Sequence, residues 1–169
     1  MPLVGSTVSE GSVPVYPVGY SGLPEYPTIY ITLGVAVKYF FAESKAVLPE
    51  ELRALFVEVG WGQHAAEQLE RSIQAYPFVA HARTGAGALV GYVSAFSDGV
   101  LSTMLGELVV HPGHQRQGVA AELLARVEAR FPNAPVYIKA LGEAKHFFVA
   151  CGYKVPRSEL TAMFKKPST

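Results

Sequence analysis

Cysteine is nearly absent from this sequence, with Cys151 the single example among 169 residues. That excludes an intrachain disulfide and a cysteine-based metal cluster. An excess of charge is also missing, because 14 basic residues balance 14 acidic ones, so we expect no nucleic-acid partner. The chain has no uninterrupted apolar run of the roughly 20 residues that a membrane span needs, and no secretory signal pattern. We therefore expect a soluble, cytoplasmic protein without a membrane partner.

Residues 1–27 differ in composition from the rest of the chain. They are rich in Pro, Gly, Ser, Val and Tyr, and Glu10 and Glu25 carry their only charges. Proline fixes φ and removes a hydrogen-bond donor, which argues against a helix or a central strand here. We interpret this segment as an arm that packs on the body or on a second copy of the chain, which leaves a homodimer open. Residues 28–169 are expected to form one domain.

Hydrophobic periodicity in the rest of the chain predicts a mixed α/β fold. The predicted strands are 36–42, 78–83, 88–96, 103–110, 136–140 and 160–165, and the predicted helices are 49–59, 65–75, 118–130 and 143–150. A Thr-Gly-Ala-Gly turn joins the second and third strands as a hairpin. The nearly continuous apolar run of 103–110 is typical of a central strand.

The segment from Val109 to Ala120 has the features of a diphosphate-binding loop. It passes from a buried strand through Pro112 into a helix, with small residues at Gly118 and Ala120. A helix N-terminus offers unpaired N–H groups and a favourable dipole to an anion. Arg116 could add positive charge. Taken alone, such a strand-to-helix loop is usually an ordinary connection.

Two motifs give this loop a more specific meaning. The string Val110-x-Pro112-x-x-Gln115-x-x-Gly118-x-Ala120 resembles the acyl-CoA-binding signature of the GNAT acetyltransferase superfamily. A second string, Ala144-x-x-Phe147-Phe148-x-x-x-Gly152-Tyr153, is similar to another motif of that superfamily. The resemblance covers about residues 35–166. It implies a splayed, mostly antiparallel mixed sheet flanked by about four helices, acetyl-CoA as cosubstrate, and no metal.

The resemblance also implies roles for individual residues. Backbone groups of one strand would face the pantetheine and acetyl group, and the following loop would hold the diphosphate. These residues are Leu108, Val109 and Val110 for the strand, and Gln115, Arg116, Gln117, Gly118, Val119 and Ala120 for the loop. Phe148 in the second motif is also expected to contact the cofactor. It stands where the family usually has a tyrosine that protonates the departing thiolate, and a phenyl ring cannot donate a proton. Leu141 likewise replaces a frequent asparagine.

Glu107 is the candidate general base. Acetyl transfer needs a neutral amine, so a proton must leave the acceptor. Glu107 is the only charged residue between Thr103 and Val110, and strand alternation places it on the face opposite Leu108 and Val110. A purely structural acid explains the position equally well.

Other polar and aromatic residues have weaker assignments. His111 and His114 are interpreted mainly as loop residues, with a proton-relay role for His111 as the alternative. Asp98 is interpreted as a turn residue that could also contact an amine. Trp61 could line an acceptor pocket or cover the core.

The expected activity is direct transfer of an acetyl group to the primary amine of a small molecule. Short blocks such as Val59-Gly60-Trp61 and Ser97-Asp98-Gly99-Val100 resemble a plant and cyanobacterial branch that includes arylalkylamine N-acetyltransferases. That narrower resemblance implies an aryl-alkyl amine as acceptor. Two alternatives remain, a non-catalytic acyl-CoA-binding module and an acetyltransferase of protein N-termini or lysines.

Overall fold

Strands and helices follow one another in the order that the periodicity predicted. A computed structural model describes residues 38–157 together with Met163 and Lys165. The elements are β1 (Tyr39–Ala42), α1 (Pro49–Glu58), α2 (Ala66–Ala75), β2 (Phe78–Thr84), β3 (Leu89–Ser97), β4 (Thr103–Val110), α3 (Val119–Arg130), β5 (Val136–Tyr137) and α4 (Ala144–Ala150). The predicted arm 1–27 and most of the predicted strand 160–165 lie outside the described residues. No helix in the described part of the chain is long and apolar enough to cross a membrane.

The strands form one mixed sheet in the order β1-β2-β3-β4-β5. Neighbours from β1 to β4 are antiparallel, whereas β4 and β5 run parallel. The mostly antiparallel mixed sheet is therefore confirmed. β5 is shorter than the predicted strand 136–140, because it pairs with β4 only at Thr103 and Met104. Beyond those pairs, β4 and the segment that follows β5 separate, and residues 138–140 line a cavity instead.

The helices cover the two faces of the sheet with separate hydrophobic clusters. α1 and α2 bury Leu52, Leu55, Phe56, Leu69 and Ile73 against Val79, Tyr92 and Val109. α3 and α4 bury Val119, Leu123, Leu124, Val127 and Phe148 against residues that include Val93, Leu105 and Val110. The apolar positions of α3 recur at the three- and four-residue spacing of an amphipathic helix, which accounts for its buried stripe.

A bulge interrupts β4 opposite Ser94. Val93 pairs with Leu108 and Ala95 pairs with Leu105, so two residues of β4, Gly106 and Glu107, lie opposite the single residue Ser94. In a regular strand, residues four apart share a face. Here Leu105 joins the α3 cluster while Val109 joins the α1–α2 cluster. The bulge therefore changes which residues of β4 face each layer of helices.

Candidate active site

A cavity of about 1110 Å³ opens where β4 and β5 separate. One wall comes from α1, α2 and the segment between them, and the opposite wall comes from residues 138–141 and α4. Residues 105–108 of β4 lie between the two walls. The walls include Phe56, Trp61, His64, Gln68, Arg71 and Ser72 on the first side, and Lys139, Ala144 and Phe148 on the second. The cavity thus brings Glu107 and Phe148 to one site.

Hydrogen bonds hold both oxygens of the Glu107 carboxylate. The Tyr76 hydroxyl donates to Oε1 at 3.0 Å, and the Ser94 hydroxyl donates to Oε2. The Ser94 Oγ in turn accepts the backbone N–H of Glu107 at 3.0 Å. The Glu107 side chain is half-buried and lines the cavity. Its orientation is therefore fixed from two neighbouring elements, β3 and the end of α2.

Two tyrosines next to Glu107 remain protonated at neutral pH. Burial, aided by the negative charge of Glu107, raises the pKa of Tyr76 to about 12. The same causes, again led by burial, raise the pKa of Tyr92, which lines the cavity. Both phenols are consequently hydrogen-bond donors and weak acids.

The edge of β4 that faces β5 presents backbone groups beyond the short β5 pairing. The His111 N–H donates to the Val90 carbonyl at 2.9 Å, which makes these two residues a hydrogen-bonded pair. Pairs alternate along an antiparallel ladder, so the backbone groups of Val109 point toward β3. Those of Leu108 and Val110 point toward the other edge, which no strand of the described residues pairs at these positions. At Val110 the carbonyl accepts the Gln115 amide, which leaves its N–H facing that edge. Of the three residues expected to contact pantetheine through their backbone, Leu108 and Val110 therefore have the suitable orientation.

The loop between β4 and α3 is shaped by backbone conformations that are rare for ordinary residues. Gly118 has φ of 85° at the N-cap of α3, and Arg116 has φ of 57°. The Glu122 N–H makes the first helical bond, to the Gly118 carbonyl at 3.0 Å. The N–H groups of Val119 and Ala120 precede it and have no partner within the helix. The helix start therefore presents donors to an anion.

Two glutamine side chains of this loop make hydrogen bonds within the protein. The Gln115 amide donates to the Val110 carbonyl at 3.1 Å, and the Gln117 amide donates to the Gly113 carbonyl at 3.1 Å. The Tyr39 hydroxyl donates to Gln117 Oε1 at 2.7 Å. These bonds fix the loop. Arg116 is exposed, and within the described residues its guanidinium has neither a hydrogen bond nor an ion pair.

The histidines of this loop have structural contacts. His111 accepts the Gly113 N–H at 3.1 Å, and His114 shares a hydrogen bond of 2.9 Å with the Tyr39 hydroxyl. Within residues 38–157, no group of three or more His, Cys, Asp and Glu side chains is arranged to hold a metal ion. Asp98 caps its turn by accepting three backbone N–H groups, and it does not line the cavity.

Aromatic side chains form parts of both cavity walls. Phe148 is 8% exposed and packs against Phe147 and Tyr153, so no proton donor occupies its position. Trp61 is 41% exposed and contacts Phe56 with ring centroids 5.3 Å apart. Trp61 thus lines the cavity as well as covering part of the core.

Sequence reasoning did not find Tyr76, Ser94 or Arg71. Ser94 contacts Glu107 because the register of β3 against β4 places the two residues opposite each other, and no residue pattern predicts that register. Arg71 could have been found, because it lies three residues after Gln68 on the polar face of α2.

Comparisons with known proteins agree with this architecture. Residues 48–162 match the family model of the acetyltransferase (GNAT) domain. A mycothiol acetyltransferase from Kineococcus radiotolerans is 42% identical over 59 residues, which are 34% of this chain. The matched part spans only 20% of that relative's length.

Solved structures share the fold at low sequence identity. A GNAT family acetyltransferase from Streptococcus pneumoniae TIGR4 superposes with a TM-score of 0.63 and 23% identity, over 76% of this chain and 99% of the other. AAC(6')-Iy, solved with the bisubstrate analogue CoA-S-monomethyl-acetylneamine, superposes with a TM-score of 0.59 and 17% identity, over 77% and 99%. These likenesses show a common fold.

Proposed function

This chain belongs to the GNAT acetyltransferase family, and from that premise we propose that it transfers acetyl from acetyl-CoA directly to the primary amine of a small molecule. The observation that carries the proposal is the open edge of β4, which faces the same cavity as the anchored carboxylate of Glu107. Pantetheine would lie along this edge between β4 and β5, and the diphosphate would bind at the start of α3. The proposed mechanism requires no metal.

The diphosphate site would use backbone donors more than side chains. The N–H groups of Val119 and Ala120 are available at the start of α3, and Gly118 leaves space there because nothing lies within 4 Å of an added Cβ. Arg116 would supply charge, whereas Gln115 and Gln117 hold the loop in shape.

Glu107 would accept the proton of the acceptor amine, directly or through one water. The amine nitrogen forms a bond to the thioester carbonyl carbon, the carbon–sulfur bond breaks, and CoA leaves as the thiolate. The Leu108 or Val110 N–H, whose orientation suits a donor to the carbonyl oxygen, would stabilise the charge that develops there. Tyr76 and Ser94 would keep the carboxylate aimed at the cavity.

The thiolate would leave without a tyrosine acid. Phe148 cannot donate, and the raised pKa makes Tyr92 a weaker acid than a thiol. A thiolate is a good leaving group compared with an amine or alkoxide, so it can depart unprotonated and take its proton from solvent.

The acceptor would rest against the wall made by α1 and α2. Phe56 and Trp61 form an apolar surface there, which supports an aryl-alkyl amine as the acceptor. The relative named as a mycothiol acetyltransferase supports a small molecule over a protein.

Phe148 favours one other function, that of a non-catalytic acyl-CoA-binding module. Thiol release from acetyl-CoA with a panel of small amines, peptides and lysine substrates separates the candidates. We expect turnover with small amines and a fall of about 100-fold in kcat for Glu107→Gln, since general-base catalysis contributes 10²–10⁴-fold. The KM for acetyl-CoA should stay unchanged, because the carboxylate contacts the acceptor.

Two results would contradict the proposal. Thermal stabilisation by acetyl-CoA without turnover on any amine would indicate the binding module. Equal kcat for the parent and Glu107→Gln across pH would exclude Glu107 as the base.

A further inference from the structure

We infer that the acceptor amine also bears a carboxylate, and that Arg71 binds this carboxylate while Glu107 receives the amine proton. The substrate class is then a small amino acid rather than a simple amine. This inference rests on the proposed function and narrows its substrate.

Arg71 lies on the face of α2 that lines the cavity. Gln68, Arg71 and Ser72 are spaced three and four residues apart, so they share one side of the helix, and all three line the cavity with Glu107. The Gln68 side-chain oxygen accepts the Ala65 N–H at 3.2 Å, which leaves its amide N–H groups for another acceptor. This face therefore presents donors in a row, as an anion requires.

The guanidinium of Arg71 has most of its hydrogen-bonding capacity unused. Its Nε donates to the Glu67 carbonyl of the preceding turn at 3.4 Å. Among the described residues, no carboxylate lies within ion-pair distance of it. By contrast, Arg53 and Arg83 each approach a glutamate at 2.6 Å. The edge formed by the two Nη groups of Arg71 remains, and two parallel N–H donors of this kind match the two oxygens of a carboxylate.

The charges of the cavity fit a zwitterion better than a simple amine. Arg71 on α2 and Glu107 on β4 place opposite charges in the same cavity. Trp61, in the segment that connects α1 to α2, adds an aromatic surface to it. The other lysine or arginine of the cavity, Lys139, lies on the wall past β5, next to the proposed pantetheine path. An amino acid with an apolar side chain would satisfy all three features. Because the acetyl group and part of the pantetheine share the cavity, a small acceptor fits best.

Matched pairs of acceptors test the inference. Each pair differs only by the carboxylate: L-phenylalanine and 2-phenylethylamine, L-tryptophan and tryptamine, L-leucine and 3-methylbutylamine. The kcat/KM of each acceptor is measured with saturating acetyl-CoA for the parent, for Arg71→Gln, and for Arg53→Gln as control. Arg53 is an exposed arginine of α1 that lies outside this cavity.

We expect the parent to prefer the carboxylated member of each pair. Arg71→Gln should lower kcat/KM for that member by about 10- to 100-fold, mostly through KM, because it loses a charge-assisted hydrogen bond. It should leave the decarboxylated member unaffected, and Arg53→Gln should affect neither. Equal kcat/KM within every pair, or an equal loss for both members in Arg71→Gln, would overturn the inference while the proposed function stands. Absence of acetylation with every amine, despite acetyl-CoA binding, would instead contradict the proposed function.

Discussion

An alanine at position 106 would collide with the side chains that hold Glu107. Its Cβ would lie 2.5 Å from Ser94 Oγ, 2.5 Å from the Tyr76 hydroxyl oxygen and 2.7 Å from Tyr76 Cε1. All three distances are shorter than real Cβ contacts, so Ser94 and Tyr76 must shift. Both side chains donate to the Glu107 carboxylate, and a shift therefore disturbs the proposed base without touching it.

The size of the effect follows from overpacking. An extra methyl group in a well-packed region costs about 1–3 kcal/mol of unfolding free energy. For a chain of this length, each kcal/mol lowers Tm by roughly 2–4 °C, so Gly106→Ala should lower Tm by roughly 2–12 °C. A misplacement of about 1 Å in an active site can cost about 100-fold in rate, so displacing the Glu107 carboxylate should lower kcat by roughly 10- to 100-fold. The pH dependence of kcat should also change.

Thermal unfolding and a pH profile of kcat measure both effects, and Gly91→Ala provides the control. An alanine Cβ there would lie 2.8 Å from Val119 Cγ1 and 2.9 Å from Leu123 Cδ1, on the opposite face of the sheet. The Tm of Gly91→Ala should fall by a similar amount, but its pH profile of kcat should stay that of the parent. If Gly106→Ala kept the parental Tm and kcat, or if both variants changed the pH profile alike, the contact of Ser94 and Tyr76 with Glu107 would not govern catalysis.

Two other perturbations test the phosphate loop and an ion pair. Gly118→Trp should raise the Kd for CoA at least tenfold in calorimetry. The control Gly87→Trp also replaces a glycine with positive φ, but in the β2–β3 turn, and it should leave the Kd unchanged. Equal Kd values for the two variants would refute the loop assignment. The hydrogen bond from the Arg83 guanidinium holds the pKa of Glu51 below its ordinary value of 4.5. The ion pair therefore contributes its full stabilisation above pH 4.5, and this contribution is lost as the pH falls through the folded-state pKa of Glu51. Glu51→Gln should lower the unfolding free energy at pH 7 by at most about 1 kcal/mol, because water screens the pair. In acid, the melting curve of this variant should approach that of the parent. A constant difference in unfolding free energy between variant and parent at every pH would contradict this.

The sequence predicted those features that depend on local periodicity. The stripe of Val119, Leu123 and Val127 identified α3, and Gly118 marked its start. The predicted length of β5 was wrong, because Ile138 continues an apolar pattern that fits a strand and a cavity wall equally well. The partners of Glu107 were not predictable, since Tyr76 and Ser94 lie 31 and 13 residues away in the sequence and reach it only through the packing of the end of α2 and of β3 against β4. Periodicity describes one element at a time, whereas the site depends on the register between elements.

The early end of the β4–β5 pairing leaves an edge of the sheet inside the protein. An unpaired strand edge is normally a template on which another extended chain can add, and proteins usually cover or charge such edges. Here the edge at Leu108 faces a cavity whose walls come from α1, α2, residues 138–141 and α4. Pantetheine, with its amide groups in a linear chain, has the shape of a missing strand. Occupancy of this edge would then stabilise the sheet by mass action, so that the folding stability of the protein would rise and fall with the concentration of the proposed cosubstrate.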